Sequence, residues 1–105
     1  MWFSRRTWPG MHVISRRALI AFAATHGNAH VPLDAWYRIA KTAHWKNLVE
    51  LQETWRSAES VGGFTVFNIK GNTYRLIANI HHEQRKIFIR EVLSDAEYDK
   101  GNWKR

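Results

Sequence analysis

The chain has 105 residues, 45% of them hydrophobic, which is enough for one compact domain with a single core and too few for two. It contains no cysteine, which excludes disulfide frameworks, thiolate metal sites and thiol nucleophiles. Sixteen Lys and Arg against nine Asp and Glu give a formal net charge of +7, the footprint of a small domain that meets phosphates, although a generically basic surface has the same composition.

Met1–Gly10 (MWFSRRTWPG) shows no periodicity, ends in Pro-Gly and precedes a second methionine, so it reads as a flexible extension, or as the product of an upstream start codon, ahead of one domain spanning 11–105. It carries no apolar run of signal-peptide length, and no segment is long and apolar enough for a bilayer span, which predicts a soluble, cytoplasmic protein. His12-Val13-Ile14 is a short extended segment. Ser15 is a candidate N-cap for a helix running to about His26, stopped by Gly27, with Leu19, Phe22, Ala23 and His26 on one face. A second helix enters through Pro32 and repeats the spacing in Leu33, Trp36 or Tyr37, Ala40 and His44, making an αα-hairpin with the first. Trp45–Trp55 is less regular and is expected to be part helix, part loop.

Val61-Gly62-Gly63 breaks the chain, and the period then becomes that of strands over Phe64–Ile69, Thr73–His81 and Lys86–Val92. Ser94-Asp95-Ala96-Glu97 has capping-box spacing, which predicts a short helix around Asp95–Lys100. Helices followed by a meander of strands predict an α+β fold, with two helices on one face of an antiparallel sheet.

Gly71-Asn72 between two strand-like runs suits a type II′ turn, with Lys70 facing Thr73. Counting outward pairs Ile69 with Tyr74, Asn68 with Arg75, Phe67 with Leu76 and Val66 with Ile77, so Asn68 and Arg75 become cross-strand neighbours. A four-residue second loop sets Ile80 opposite Ile87 and Ile77 opposite Arg90, placing Arg90 one diagonal step from Arg75. This register leaves an apolar core face and an outer face carrying Asn68, Arg75, Arg90 and Asn79, but it also turns Glu91 toward the core. An amide beside two guanidiniums is suited to gripping a phosphodiester, because arginine's planar fork matches phosphate oxygens. A simply solvated sheet face has the same spacing.

The six histidines lack HExxH or paired spacing, so no metal is expected. His81 and His82, in the second hairpin loop, are candidates for acid–base work or for RNA contacts. Tyr98 can donate a proton or stack on a base, and Lys70, Lys100, Lys104 and Arg105 can attract a nucleic-acid backbone.

Several stretches together resemble the HigB toxins of bacterial type II toxin–antitoxin systems, a branch of the RelE-like ribonuclease superfamily. They are MHVIS (11–15), Trp45-Lys46-Asn47-Leu48, VFNIKGNTYRLIANI (66–80), IFIREVL (87–93) and AEYDKGNWK (96–104). The resemblance implies a RelE-like α+β fold and an mRNA endonuclease that cuts translated messages, commonly on the ribosome, with no cofactor. It implies a HigA-type helix-turn-helix antitoxin as partner. Arg75 matches the phosphate-binding arginine of RelE-like toxins and Tyr98 their C-terminal tyrosine, while Asn68 stands where RelE itself often has a basic residue. Related HigB sequences commonly read THAEYD where this chain reads SDAEYD, so Asp95 replaces a histidine, and a carboxylate is the poorer proton donor near neutral pH. The expected catalytic set is therefore Arg75, Arg90, Asn68, Tyr98 and Asp95. The competing expectation is a homologue weakened by the Asp95 change that survives as an RNA- or antitoxin-binding module.

Overall fold

The computed structural model describes residues 10–104. The flexible extension expected over Met1–Gly10 thus falls almost wholly outside the described residues. Gly10 itself lies against α2 (His30–Thr42), so close to its last turn that a Cβ would collide with the Lys41 carbonyl. Five strands form one sheet: β1 (His12–Ile14), β2 (Glu59–Val61), β3 (Phe64–Ile69), β4 (Tyr74–His81) and β5 (Lys86–Ser94), in the order β1-β5-β4-β3-β2. The three-strand meander is antiparallel as expected, whereas β1 joins the edge parallel to β5.

On one face lie α1 (Arg17–Thr25), α2 and α3 (Leu48–Thr54), the last supplying the helical part of the irregular Trp45–Trp55 stretch. Their apolar stripes bury Leu19, Leu33, Trp36, Ala40 and Leu51 against Phe67, Leu76, Ala78, Ile87 and Ile89 of the sheet. The Trp36 and Trp45 rings both pack on Phe67, at 5.2 and 6.2 Å, and both tryptophans are core. Ser15 does not cap α1: Arg16 takes that position without a side-chain cap, and Ser15 adopts φ +73° to turn the chain out of β1. Pro32 sits in the first turn of α2, where its missing N–H leaves no intrahelical bond unmade. His44 lies beyond the helix end.

The first hairpin has the predicted register at every pair from Ile69–Tyr74 to Val66–Ile77. Thr73 N–H donates to the Lys70 carbonyl at 3.1 Å, and Gly71 takes φ +63° as a II′ turn requires, with Lys70 also left-handed at φ +55°. The expected break at Gly62-Gly63 is instead a hairpin turn, both glycines at positive φ, and Val61 pairs Phe64 in a short edge strand.

In the second hairpin Ile80 does oppose Ile87, but Ile77 opposes Glu91 rather than Arg90. A β-bulge between Ile77 and Ala78 on the β4 side makes Arg90 the extra residue of β5. One inserted residue exchanges the faces of everything after it. Glu91 leaves the core side, which removes the conflict in the predicted register, and Val92 joins the core.

The outer face is not simply solvated. After Ser94 the helix α4 (Asp95–Lys100) and a 3-10 turn (Asn102–Lys104) fold back across it. Trp103, 4% exposed, forms a second apolar cluster with Val66 and Ile77, flanked by Val61, Phe64, Leu93 and Tyr98. The sheet is therefore covered by three helices on one side and by a small C-terminal strap on the other.

Candidate active site

Arg75 leaves β4 on the outer face directly opposite Asn68, with only 13% of its side chain exposed. Three groups fix its guanidinium. Nη2 lies 2.9 Å from Asp95 Oδ1, Nη1 donates to the Asn72 carbonyl at 2.8 Å, and the carbon between them sits 5.1 Å from the centroid of the Tyr98 ring. Asn68 donates from its amide to the Asn72 side-chain oxygen at 3.1 Å. Asn72 thus links Asn68 and Arg75, through its side chain to one and its backbone to the other. It escaped sequence reasoning because a turn asparagine usually serves only its own turn.

Asp95 and Tyr98 reach this corner because α4 begins where it does. Ser94 Oγ accepts from Glu97 N–H at 3.2 Å, and Ser94 N–H donates to Glu97 Oε1 at 3.0 Å, so both halves of the predicted capping box form. That places Asp95 at the first helical position and Tyr98 one turn later on the same side. The Glu97 carboxyl is held below its usual range, chiefly by the Ser94 backbone N–H.

Tyr98 is half-buried, and burial pushes its phenol above the ordinary value; Glu59 on β2 raises it further while Arg75 opposes the rise. The phenol therefore stays protonated through neutral pH and is equipped to donate a proton. Trp103 stacks on it at 5.0 Å with an interplanar angle of 14°, and donates Nε1–H to the Tyr98 carbonyl at 3.0 Å. Sequence reasoning gave Trp103 no role. Its signal was a tryptophan in an otherwise polar tail.

The other predicted residues are spread around this corner. Arg90 shares the outer face, but its guanidinium lies 5.1 Å over Phe64 rather than beside Arg75. Contacts run in series from Arg90 to Phe64, from Phe64 to Trp103 at 6.2 Å, then to Tyr98 and Arg75. Lys70 is exposed in the hairpin loop next to Gly71-Asn72, and Lys100 is exposed at the end of α4. His81 and His82 stand at the far end of β4, about 20 Å from Arg75 by strand rise. His81 meets Phe88 edge-on, and the His82 Nδ1 lies 3.0 Å from the Trp45 carbonyl oxygen. Arg105 and the Lys104 side chain lie outside the described residues. Among the described residues no three His, Asp or Glu side chains are grouped to hold a metal ion, and no helix is long and apolar enough to cross a membrane.

A half-exposed carboxylate on a fixed guanidinium marks a place where an anionic oxygen is already welcome, and a phosphate oxygen is the commonest substitute. A family model described as HigB_toxin, the RelE-like toxic component of a toxin–antitoxin system, matches residues 29–101. This chain belongs to that family. Membership implies an antitoxin partner. The chain is 26% identical over 93 residues to the mRNA interferase HigB of Escherichia coli O6:H1, a match covering 86% of this chain and 90% of that protein. It is 29% identical over 92 residues to the mRNA interferase toxin HigB of Escherichia coli K12, covering 85% and 88%, with the same figures for the mRNA interferase HigB of Shigella flexneri. The model match includes Asn68, Arg75, Asp95 and Tyr98, and starts after α1.

Proposed function

We propose that this toxin is an mRNA endonuclease whose active site is the Arg75 corner. The observation that carries the reading is the convergence of a fixed arginine, a carboxylate and a protonated tyrosine on one sheet face, in a chain similar to proteins named mRNA interferases. Arg75 binds the scissile phosphate and stabilises the charge that grows on it. Asn68 and Asn72 hold the site's edge, and Arg90 adds charge further along the face.

The RNA's own 2′-hydroxyl attacks the phosphorus. The Asp95 carboxylate takes the hydroxyl proton, the bond to the 5′-oxygen breaks, and Tyr98 protonates that leaving oxygen, giving a 2′,3′-cyclic phosphate and a 5′-hydroxyl. Lys70 and Lys100 guide flanking backbone, and the substrate is a message engaged by the ribosome in the cytoplasm. The antitoxin is a HigA-type helix-turn-helix protein, and residues 11–105 act as one domain.

Replacing Arg75 with Ala is expected to abolish growth arrest and RNA cleavage while circular dichroism and thermal unfolding stay near those of the native chain. A folded Arg75→Ala variant that still cleaves overturns the assignment.

One observation favours a second reading, a weakened toxin acting as a binding module: the guanidinium already has a carboxylate at 2.9 Å. Asp95→His separates the two. Cleavage gained by Asp95→His over an inactive native chain establishes the binding module; cleavage by the native chain under translating conditions establishes the enzyme.

A further inference from the structure

Between the start of α1 and β5 lies a cleft of about 730 Å³ lined by Arg16, Arg17 and Arg90, with Ser15 at its edge and Ala18 and Ala21 keeping its wall low. Among the described residues no acidic side chain lines it. The strained φ of +73° at Ser15 turns the chain so that two consecutive arginines open α1 beside the bulged residue of β5. Arg16 is oriented by Tyr37, its guanidinium 4.2 Å from the ring centroid. Among the described residues no carboxylate forms an ion pair with Arg16 or Arg17. The first turn of α1 holds no acidic residue and has no side-chain cap, so its positive end adds to the same field.

Arg90 connects this cleft to the Arg75 corner. It lines the cleft, and its guanidinium lies over Phe64, at the head of the ring series that ends on Tyr98 and Arg75. Arg75 pairs with Leu93, three residues beyond Arg90 along β5, so the two sites are about 10 Å apart along the strand. A flexible polyanion can span that separation.

We infer that the Arg16–Arg17–Arg90 cleft is a second phosphate-binding subsite, which holds the backbone of single-stranded RNA flanking the phosphate at Arg75. The ligand is a phosphodiester chain rather than an acidic peptide, because Arg90 continues the cleft toward the Arg75 corner, so one regularly charged backbone can occupy both. This subsite rests on the reading of the Arg75 corner as an RNA site, yet Arg16 and Arg17 take no part in that reading.

The test is equilibrium binding of the full chain to 2′-O-methyl RNA, whose blocked hydroxyl prevents cleavage, using a dinucleotide and an octanucleotide over a range of salt. Arg17→Glu is expected to weaken octanucleotide binding at least tenfold and to flatten its logarithmic salt slope by about 0.7 for each phosphate the protein no longer neutralises. Dinucleotide binding should be unchanged, and Arg17→Lys should retain most of the affinity. Arg17 is exposed at the helix start, so circular dichroism should match the native chain. Lys46→Glu, an equal charge change at an exposed loop elsewhere, sets the background. The inference is overturned if Arg17→Glu leaves the octanucleotide unaffected, or if Lys46→Glu weakens it equally. A chain that cleaves nothing but keeps the Arg17-dependent length effect retains the subsite and loses the nuclease; Arg75-dependent cleavage without that effect does the reverse.

Discussion

The two faces of the sheet are covered in different ways. The helix face buries Trp36, Phe67, Leu33, Leu51, Leu76 and Ile87 essentially completely, in one continuous cluster fed by three helices. Among the described residues, the outer face buries Val66 and Ile77 under Trp103, which belongs to a strap of six helical residues and one 3-10 turn. Burial on the first side supplies most of the fold's stability. On the second side the apolar cover is small enough to leave the polar corner of Asn68, Arg75, Asp95 and Tyr98 partly open to solvent. A thin strap still orders that corner, because Trp103 stacks on Tyr98 and Tyr98 faces Arg75. The comparison teaches that one sheet can divide the work: one side holds the fold, and the other holds charge in place.

The sharpest way to break this division is to remove one tryptophan from each side. Trp36→Ala should cost about 3–5 kcal/mol, a large share of the stability of so small a domain, so structure and toxicity should fail together. Trp103→Ala should cost about 3 kcal/mol, at the low end because the strap is short and can close in. Its circular dichroism at low temperature should remain native-like while growth arrest is lost. Urea unfolding followed beside toxicity measures both. If the two variants behave alike, the faces are not separable in this way.

Next in size is the phenol itself. Tyr98→Phe keeps the ring between Trp103 and Arg75 and deletes only the proton donor. Cleavage should fall about 100-fold, the lower range for a general acid, with RNA affinity and melting temperature little changed. Because the Tyr98 pKa is raised above its ordinary 10.0, the acid form persists through neutral pH and is lost only as pH rises through that raised value. A Tyr98-dependent loss of cleavage near neutral pH would contradict this role.

These faces were not equally legible in the sequence. The helix face follows from the 3.6-residue spacing of Leu33, Trp36 and Ala40 and from alternation in the strands, both of which record burial directly. The Asn68–Arg75 pairing followed from Gly71, because turn geometry sets the register of everything beside it. The bulge at Arg90 was not legible, since one extra residue changes no local composition; its trace was Glu91 pointing the wrong way. β2 was hidden by its three-residue length, although Gly-Gly before an apolar run is itself a hairpin signal. The strap was hardest to foresee. AEYDKGNWK looks polar and solvated, and only tertiary contact makes Trp103 one of the most buried residues outside the main core. The Arg75–Asp95 pair depends on that strap, which is why the family resemblance put Asp95 among the catalytic candidates without revealing that it would grip the arginine.

The smallest effect sharpens the comparison most finely, because it acts on the strap without touching the corner. Ser94→Ala removes the hydroxyl that accepts from Glu97 N–H, a loss of about 1 kcal/mol for an N-cap. The Ser94 backbone N–H still donates to Glu97 Oε1, so the main cause of the lowered Glu97 pKa survives the substitution. A carboxyl whose folded pKa is lowered contributes stability above its unfolded value, here 4.5, and loses that contribution as pH falls through the folded value. Because the Ser94 hydroxyl also donates to Glu97 Oε1 at 3.2 Å, Ser94→Ala should shift the urea midpoint somewhat less on acidification than at neutral pH, whereas Glu97→Gln should be destabilising at neutral pH and lose most of its effect on acidification. If the outer face is ordered by its strap, both changes should also loosen Asp95 and Tyr98 and reduce cleavage several-fold while the helix-face core still unfolds cooperatively. Unchanged cleavage in both would mean that Trp103 alone sets the corner and that the capping box serves only to start the helix.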